Sequence, residues 1–501
     1  MGAAPTPDGD RLLALGLRHH KRGQLDRAVA AYCEVLAKAP DRADVHHLLG
    51  IALAGQGEVT AAMDCYQRSL ALDADNAAVH HDLGVLFWQT GAAEQAIDHY
   101  RRALALNRDF ANAHVNLGVA LTESGRPEDA VACFQDALAL RPGDGETLYR
   151  LARALNAGGD PVSAIAAYRR CMDASPDHAE AHFHMAITLL RLGEFADGWA
   201  EYEWRFRRPG LATAARGFPQ PEWRGEPLAG RRGLVWGEQA VGEEIMFAAL
   251  IGEVAAAAEH CIIECAPRLV PLFERSFPGV RVVARQDPPA PLTMAPDIDF
   301  QCPIGGLGRW LRPDSDSFAS IPGYLRADEA RIEECRGFLD GLGGGLKVGI
   351  SWRSTAGDSR FGAAKSSSLD AWAPILTEAG IHFVNLQYGD CDADLDAIEE
   401  QLGVRVHRDP AVDQMTSLDD FAAQIAALDL VITTANTTAH LAGALGGALW
   451  VLLPQLADWR WRSGATGSLW YPNARLMRQA DAGDWTGLLA RVAAALADHR
   501  G

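Results

Sequence analysis

Three stretches of this 501-residue chain carry side chains whose types and spacing suit chemistry on a phosphate-bearing substrate. In LVWGEQAVGEEIMF an apolar run ends at Trp236, and a glycine-containing loop brings Glu238, Glu243 and Glu244. A carboxylate at such a loop can take the proton of an acceptor hydroxyl. Glu243 is the first choice for that base and Glu238 the second. The same acids also suit the positive end of a helix starting near Gly242, and spacing alone does not separate the two roles.

The second stretch, DLVITTANTTAHLAGALGG, runs from a strand into Ala435-Asn436-Thr437-Thr438-Ala439-His440 and then a helix. Hydroxyls and helix N-terminal amides there suit phosphate oxygens, with His440 close enough to donate to the same anion. An N-cap at Asn436 or Thr437, with His440 packed in the core, fits the same residues. The third, GISWRSTAGDSRFGAAKSSS, gathers Arg353, Arg360 and Lys365 in one Gly- and Ser-rich loop beyond a strand. Three cations so placed are what a diphosphate needs, and a solvated surface loop is the alternative. Asp297/Asp299, Asp314/Asp316 and Asp390–Asp394 space carboxylates as a divalent cation would require. With 65 acids in the chain they read as ordinary acidic loops, and no metal site is expected.

The elements that must hold these groups are of two kinds. From Gly16 a small residue recurs every 34 positions, at Gly50, Gly84, Gly118, Ala152 and Ala186. Glycine follows seven later, from Gly23 to Gly193, then a small residue from Ala28 to Gly198. An aromatic comes four further on: Tyr32, Tyr66, Tyr100, Phe134, Tyr168 and Tyr202. That period marks stacked helix–turn–helix units. The first small residue permits close helix approach, the second supplies a left-handed turn, and the aromatic is expected to fill the gap to the next unit. Pro40, Pro142 and Pro176 should end second helices. The histidine pairs His19-His20, His46-His47 and His80-His81 follow the repeat and read as scaffold or groove residues.

Beyond the repeats, short apolar runs alternate with amphipathic segments, which argues for parallel α/β units. The expected strands are 233–236, 261–265 and 280–284, then 346–352, 381–387, 404–407, 428–434 and 448–453. GLGGG at 341–345 reads as an interdomain hinge, and 484–499 as a closing helix packed back across the halves. Two α/β halves place a ligand in the cleft at the carboxyl ends of their strands.

Net charge −19 excludes a nucleic-acid backbone as the main partner. Nine cysteines without a CxxC pair suit reduced thiols. MGAAPTPDGD has no signal-peptide character, and no apolar run reaches the ~18 residues of a membrane span. A cytoplasmic protein is expected.

The repeat resembles the tetratricopeptide family: five full copies and a sixth whose Trp199, Trp204 and Phe206 suggest a cap docked onto something else. The remainder resembles the bacterial heptosyltransferase-like glycosyltransferases in WRGEPLAG (223–230), WGEQAVGEE (236–244), LQYGD (386–390), TTANTTAHLAGALG (433–446), WRW (459–461) and WYPNARLMRQ (470–479). The resemblance implies an α-solenoid followed by a GT-B fold of two Rossmann-like halves. Its expected layout is a disordered N-terminus (1–10), the repeat array (11–208) and a linker (209–232). An acceptor-side half (233–327), an interdomain linker (328–345) and a nucleotide-sugar half (346–501) follow.

Carried over by motif, Glu243 after Gly242 falls where that family has a catalytic Asp, and Lys365 near its phosphate-binding lysine. The segment from Thr437 to His440 matches its nucleotide-sugar turn. Glu replaces Asp at 243, and Ala435 stands where an acid usually precedes the histidine by five residues. The expected function is metal-independent glycosyl transfer, with a nucleotide-sugar as substrate and no cofactor. Arg353, Arg360, Lys365, Asn436, Thr437, Thr438 and His440 form the donor site. A protein or peptide acceptor would lie along the groove positions Asp82, Asn116, Arg150 and His184. The alternative is a non-catalytic scaffold that kept the fold and lost turnover.

Overall fold

A computed structural model of the chain describes residues 7–208, 216–318, 323–354 and 360–499, without the side chains of residues 7, 360 and 361. Two compact units are formed, Met1–Ala181 and His182–Gly501.

The first unit is a succession of antiparallel helix pairs, beginning with Pro7–Lys21 and Leu25–Lys38 and continuing to Gly145–Ala157 and Pro161–Ala174. Its first helix starts at Pro7, so residues 7–10 are helical where a disordered terminus was expected. The left-handed turns fall as the period requires, with φ of 68° at Gly23 and 84° at Gly159. The other glycine, present in the first four repeats, is needed for contact. A β-carbon on Gly84 would lie 2.6 Å from the Tyr100 ring, and one on Gly118 would lie 2.7 Å from Phe134. The aromatic is therefore seated on the small residue of its own repeat. It does not simply fill the gap to the next one, although Tyr32 also joins a cluster with Val45 and Leu49 of the following repeat.

The sixth copy, helices Ala179–Leu192 and Phe195–Tyr202 with the short 3-10 turn Glu203–Arg207, is assigned to the second unit from His182 onward. That unit contains two parallel sheets. The first comprises β1 (Arg232–Trp236), β2 (His260–Cys265), β3 (Arg281–Ala284) and β4 (Phe300–Pro303), in the order β3-β2-β1-β4. The second comprises β5 (Leu346–Ser351), β6 (Ile381–Asn385), β7 (Leu430–Thr434), β8 (Leu449–Leu453) and β9 (Ala474–Arg478), in the order β6-β5-β7-β8-β9. In each sheet the chain returns past its first strand, to β4 in one and β7 in the other. Such reversals open a crevice at the strands' carboxyl ends.

The expected strand at 404–407 is only a bridge, His407 against Val384 at the edge of β6. β4 and β9 were not anticipated. β4 ends in Pro303 at a sheet edge, and β9 carries two arginines among its five residues, so neither reads as an unbroken apolar run. The last helix, Trp485–His499, buries Leu488, Leu489, Val492 and Leu496 with Val348, Trp372 and Ile375. Its apolar partners among the described residues lie in the second half, so it closes that half and is not the expected brace across the two.

Candidate functional site

The helices that follow β1 and β7 meet. Val241–Phe247 packs on Thr437–Leu445, and a β-carbon on Gly242 would lie 3.2 Å from the His440 ring and 3.5 Å from Thr437 Oγ1. Glycine at 242 lets the two halves close on one another. Beside this joint lies a cavity of about 400 Å³ lined by Gln239, Ala240 and Val241 from one half and Tyr388, Gln414 and Thr437 from the other. Arg268 and Arg285 also line it. A second cavity of about 370 Å³ shares Tyr388, Gln414 and Met415 with it and is edged by Asn385, Gln387 and Gln424. These carboxamides bond within the fold: Gln387 Oε1 accepts from Trp352 N at 3.1 Å and Arg353 N at 2.9 Å, and Gln414 Nε2 donates to the Asn385 carbonyl at 2.7 Å.

Glu243 is held at the joint. Its Oε2 accepts the Ala240 N–H at 2.9 Å, and its Oε1 accepts from the Arg460 guanidinium. Arg460 also donates to Asp458 at 2.6 Å, and Lys365 Nζ lies 3.9 Å from the same carboxylate. Burial opposes the Asp458 charge, but Arg460 and Lys365 outweigh it and hold its pKa down to about 2. A continuous ionic chain thus joins Glu243 of the first half to Lys365 of the second. Asp458 and Arg460 were missed as site residues, although the Trp459-Arg460-Trp461 motif was the available signal.

The structure disperses other expected members. Glu238 sits in a buried pair with Arg205 at 2.7 and 3.0 Å and accepts the Gly305 N–H at 2.7 Å; its side chain is 2% exposed against 21% for Glu243, which shuts it off from an acceptor. Glu244 lies fully buried beneath Gly237, paired with Arg285 at 3.0 Å. Arg353 turns away toward Asp394, at 2.6 Å, and the Asp390 carbonyl. The Arg360 side chain lies outside the described residues.

Within the turn, Asn436 is the N-cap. Its oxygen accepts from Ala439 N at 3.3 Å and its nitrogen donates to Ser351 Oγ at 2.8 Å and the Arg353 carbonyl at 3.1 Å. These bonds spend Asn436 on joining β5 to β7. Thr438 is buried, with its hydroxyl on the Leu386 carbonyl at 3.4 Å. Burial, together with Arg460, pushes His440 down to about 3, so the imidazole is neutral. It stacks on Trp461 and bonds Tyr471 Oη through Nδ1 at 2.8 Å. Of the four, Thr437 opens onto the cavity.

In the repeats, Asp82 accepts from His47 Nε2 at 2.7 Å and His81 Nδ1 at 2.9 Å. Burial raises the Asp82 carboxyl, but the two histidines outweigh it and hold it below its usual range. With its Nδ1 donating, His81 Nε2 accepts from Asn116 at 3.0 Å, which completes a polar ladder across three successive repeats. Arg150 pairs with Glu146 at 2.8 Å in the next repeat. His184 belongs to the second unit, with its carbonyl accepting from Thr188 at 2.8 Å.

Tetratricopeptide-repeat families match residues 13–78 and 146–188, and the middle TPR-like domain of cilia and flagella-associated protein 70 matches 52–160. Residues 13–188 are tetratricopeptide repeats. Protein FlbA of Caulobacter vibrioides is 36% identical over 326 residues, which is 62% of this chain and 54% of FlbA. The chain thus spans about half the length of that relative. Solved structures similar to the repeats include pilF of Pseudomonas aeruginosa, at 24% identity and TM-score 0.36, over 40% of this chain and 93% of that one. YrrB, described as a TPR protein with an unusual peptide-binding site, is 20% identical at TM-score 0.32, over 34% of this chain and 88% of that one. Among the described residues no helix is long and apolar enough to cross a membrane.

Proposed function

We propose that the α/β part transfers a glycosyl group from a nucleotide-sugar to an acceptor hydroxyl, and that the tetratricopeptide repeats bind a protein or peptide acceptor. The ionic chain Glu243–Arg460–Asp458–Lys365 carries the reading, because it sets a carboxylate and a cation on opposite halves of one crevice.

Glu243 takes the acceptor proton as the acceptor oxygen bonds to the anomeric carbon. The bond from that carbon to the diphosphate breaks, and its electron pair leaves with the nucleoside diphosphate. Lys365 and the amide end of helix Thr437–Leu445 offset the charge that develops there. The chain's own cations serve the diphosphate in this scheme, so it calls on no metal or cofactor. The ladder from His47 to Asn116 offers side-chain donors and acceptors to an extended backbone.

A thermal-shift screen of the full chain against UDP, GDP, CMP, ADP and dTDP sugars tests the donor site. A ligand at 100 times its Kd adds about 2.7 kcal/mol of stability. One nucleotide should give a shift that Lys365→Ala abolishes, and silence across the panel would sink the transferase reading. Ala435, together with Asn436 and Thr438 being committed inside the fold, favours the scaffold reading in that event. Peptide capture would then be the remaining activity, and changing Asp82 and Asn116 to Ala should abolish it.

A further inference from the structure

We propose that the sixth repeat is a working part of the crevice, in which Tyr202 and Arg205 position the 237–243 loop that carries Glu243. The repeat pattern itself points to this. Three residues after the aromatic, the first five repeats bury Val35, Ser69, Ala103, Ala137 and Cys171, and the sixth buries Arg205. A slot used for small packing residues holds a guanidinium in this copy. A buried ion pair is weak ground for stability, since desolvating two charges offsets their attraction. What this one does is fix a geometry.

Arg205 grips both oxygens of Glu238 through Nε and Nη2, at 2.7 and 3.0 Å, and donates through Nη1 to the Tyr202 carbonyl at 3.1 Å and to Glu203 at 3.0 Å. Glu238 in turn accepts the Gly305 N–H, where a β-carbon would come within 2.4 Å of the carboxylate. The loop is thereby tied at residue 238 both to the repeat and to the end of β4.

The next residue carries the tie to the site. Glu243 can only accept, so the Gln239 carboxamide turns its nitrogen to Glu243 Oε1 at 2.9 Å, and its oxygen accepts from the Tyr202 hydroxyl at 2.8 Å. A line of polar contacts then runs Tyr202–Gln239–Glu243–Arg460–Asp458–Lys365, from the repeat to the cation of the far half. Tyr202 touches no expected reacting atom and acts through Gln239. It is a positioning residue.

The activity arm of this inference rests on the proposed transfer, so the experiment has two arms. Tyr202→Phe removes one hydroxyl from a ring already packed against Trp199 and Trp459. In the full chain, hydrogen exchange of amides 239–243 should quicken at least tenfold. With the nucleotide-sugar found by the screen, kcat should fall at least tenfold while the donor's thermal shift stays unchanged. Exchange and kcat matching the unsubstituted protein would overturn the proposal. If the unsubstituted protein binds no nucleotide-sugar, the transfer reading fails, and the exchange arm still decides the positioning role. Arg205→Lys, which keeps the charge and loses the fork, should quicken the same amides, and an unchanged loop there would also overturn it.

Discussion

Gly242 rests against the His440 imidazole, and a β-carbon there would stand 3.2 Å from its Cδ2. Both helices begin at a strand's carboxyl end, so their separation sets how far Glu243 stands from Thr437 and the adjoining cavity. His440 cannot easily give way, because Trp461 and Tyr471 hold it from other sides.

Gly242→Ala should therefore leave the fold intact but cost about 1 kcal/mol, at the low end for overpacking. Every tryptophan except Trp88 lies in the second unit, so urea unfolding followed by tryptophan fluorescence reports it. The affinity for the nucleotide-sugar should fall with it. Unchanged stability and affinity would show that the joint is slack.

Arg205→Met should cost the second unit about 3–5 kcal/mol, the usual result of leaving one buried charge alone. Combining it with Glu238→Leu should bring the fluorescence transition back toward that of the unsubstituted protein. A double variant as weak as the single one would mean that Arg205 matters for its packing on Tyr202 and Phe206 instead.

Burial pushes the Glu244 carboxyl up to about 7, against the pull of Arg285 and the Ala266 amide. A carboxyl that binds its proton more tightly when folded makes stability fall as pH rises from about 4.5 to 7, and flatten above. At about 1.36 kcal/mol per pH unit the fall is roughly 3 kcal/mol. His440, kept neutral by burial, gives a rise between about 3 and 6.5 that overlaps it. Comparison with Glu244→Gln isolates the carboxyl: the substituted chain should lose the decline between pH 5 and 7.5. Parallel curves for the two chains would contradict the assignment.

Gly84→Ala should destabilise the third repeat by roughly 1–3 kcal/mol, because the new carbon would meet the Tyr100 ring at 2.6 Å. Gly143→Ala, with open space around it, serves as the control. Hydrogen exchange over Ala77–Gln89 and Ala93–Leu106 should quicken in the first variant only.

The repeats were legible because each unit obeys local rules that recur every 34 residues. Positive φ at Gly23 and its equivalents, and a glycine under each early aromatic, are demands that a one-dimensional pattern records. The strands β1, β2, β5, β7 and β8 were legible as apolar runs, since parallel strands covered on both faces leave no polar alternation. β4 and β9 escaped because each is a short edge strand interrupted by polar residues, Gln301 in one and Arg475 and Arg478 in the other.

The site divided along the same line. Sequence alone determined which residues stand at the strand ends, and so named Glu243, Lys365 and Thr437. Tertiary structure decided which of the candidates face one another. Asn436 and Thr438 satisfy buried backbone and hydroxyl groups, Arg353 finds Asp394, and Glu238 is bound by Arg205 from the sixth repeat. Asp458 and Arg460, some 220 residues beyond Glu238, complete the ionic chain from Glu243 to Lys365. Hydrogen bonds and ion pairs form over 3 Å of space, whatever the separation along the chain. A sequence can therefore list the groups able to make them, and only the folded packing selects the partners.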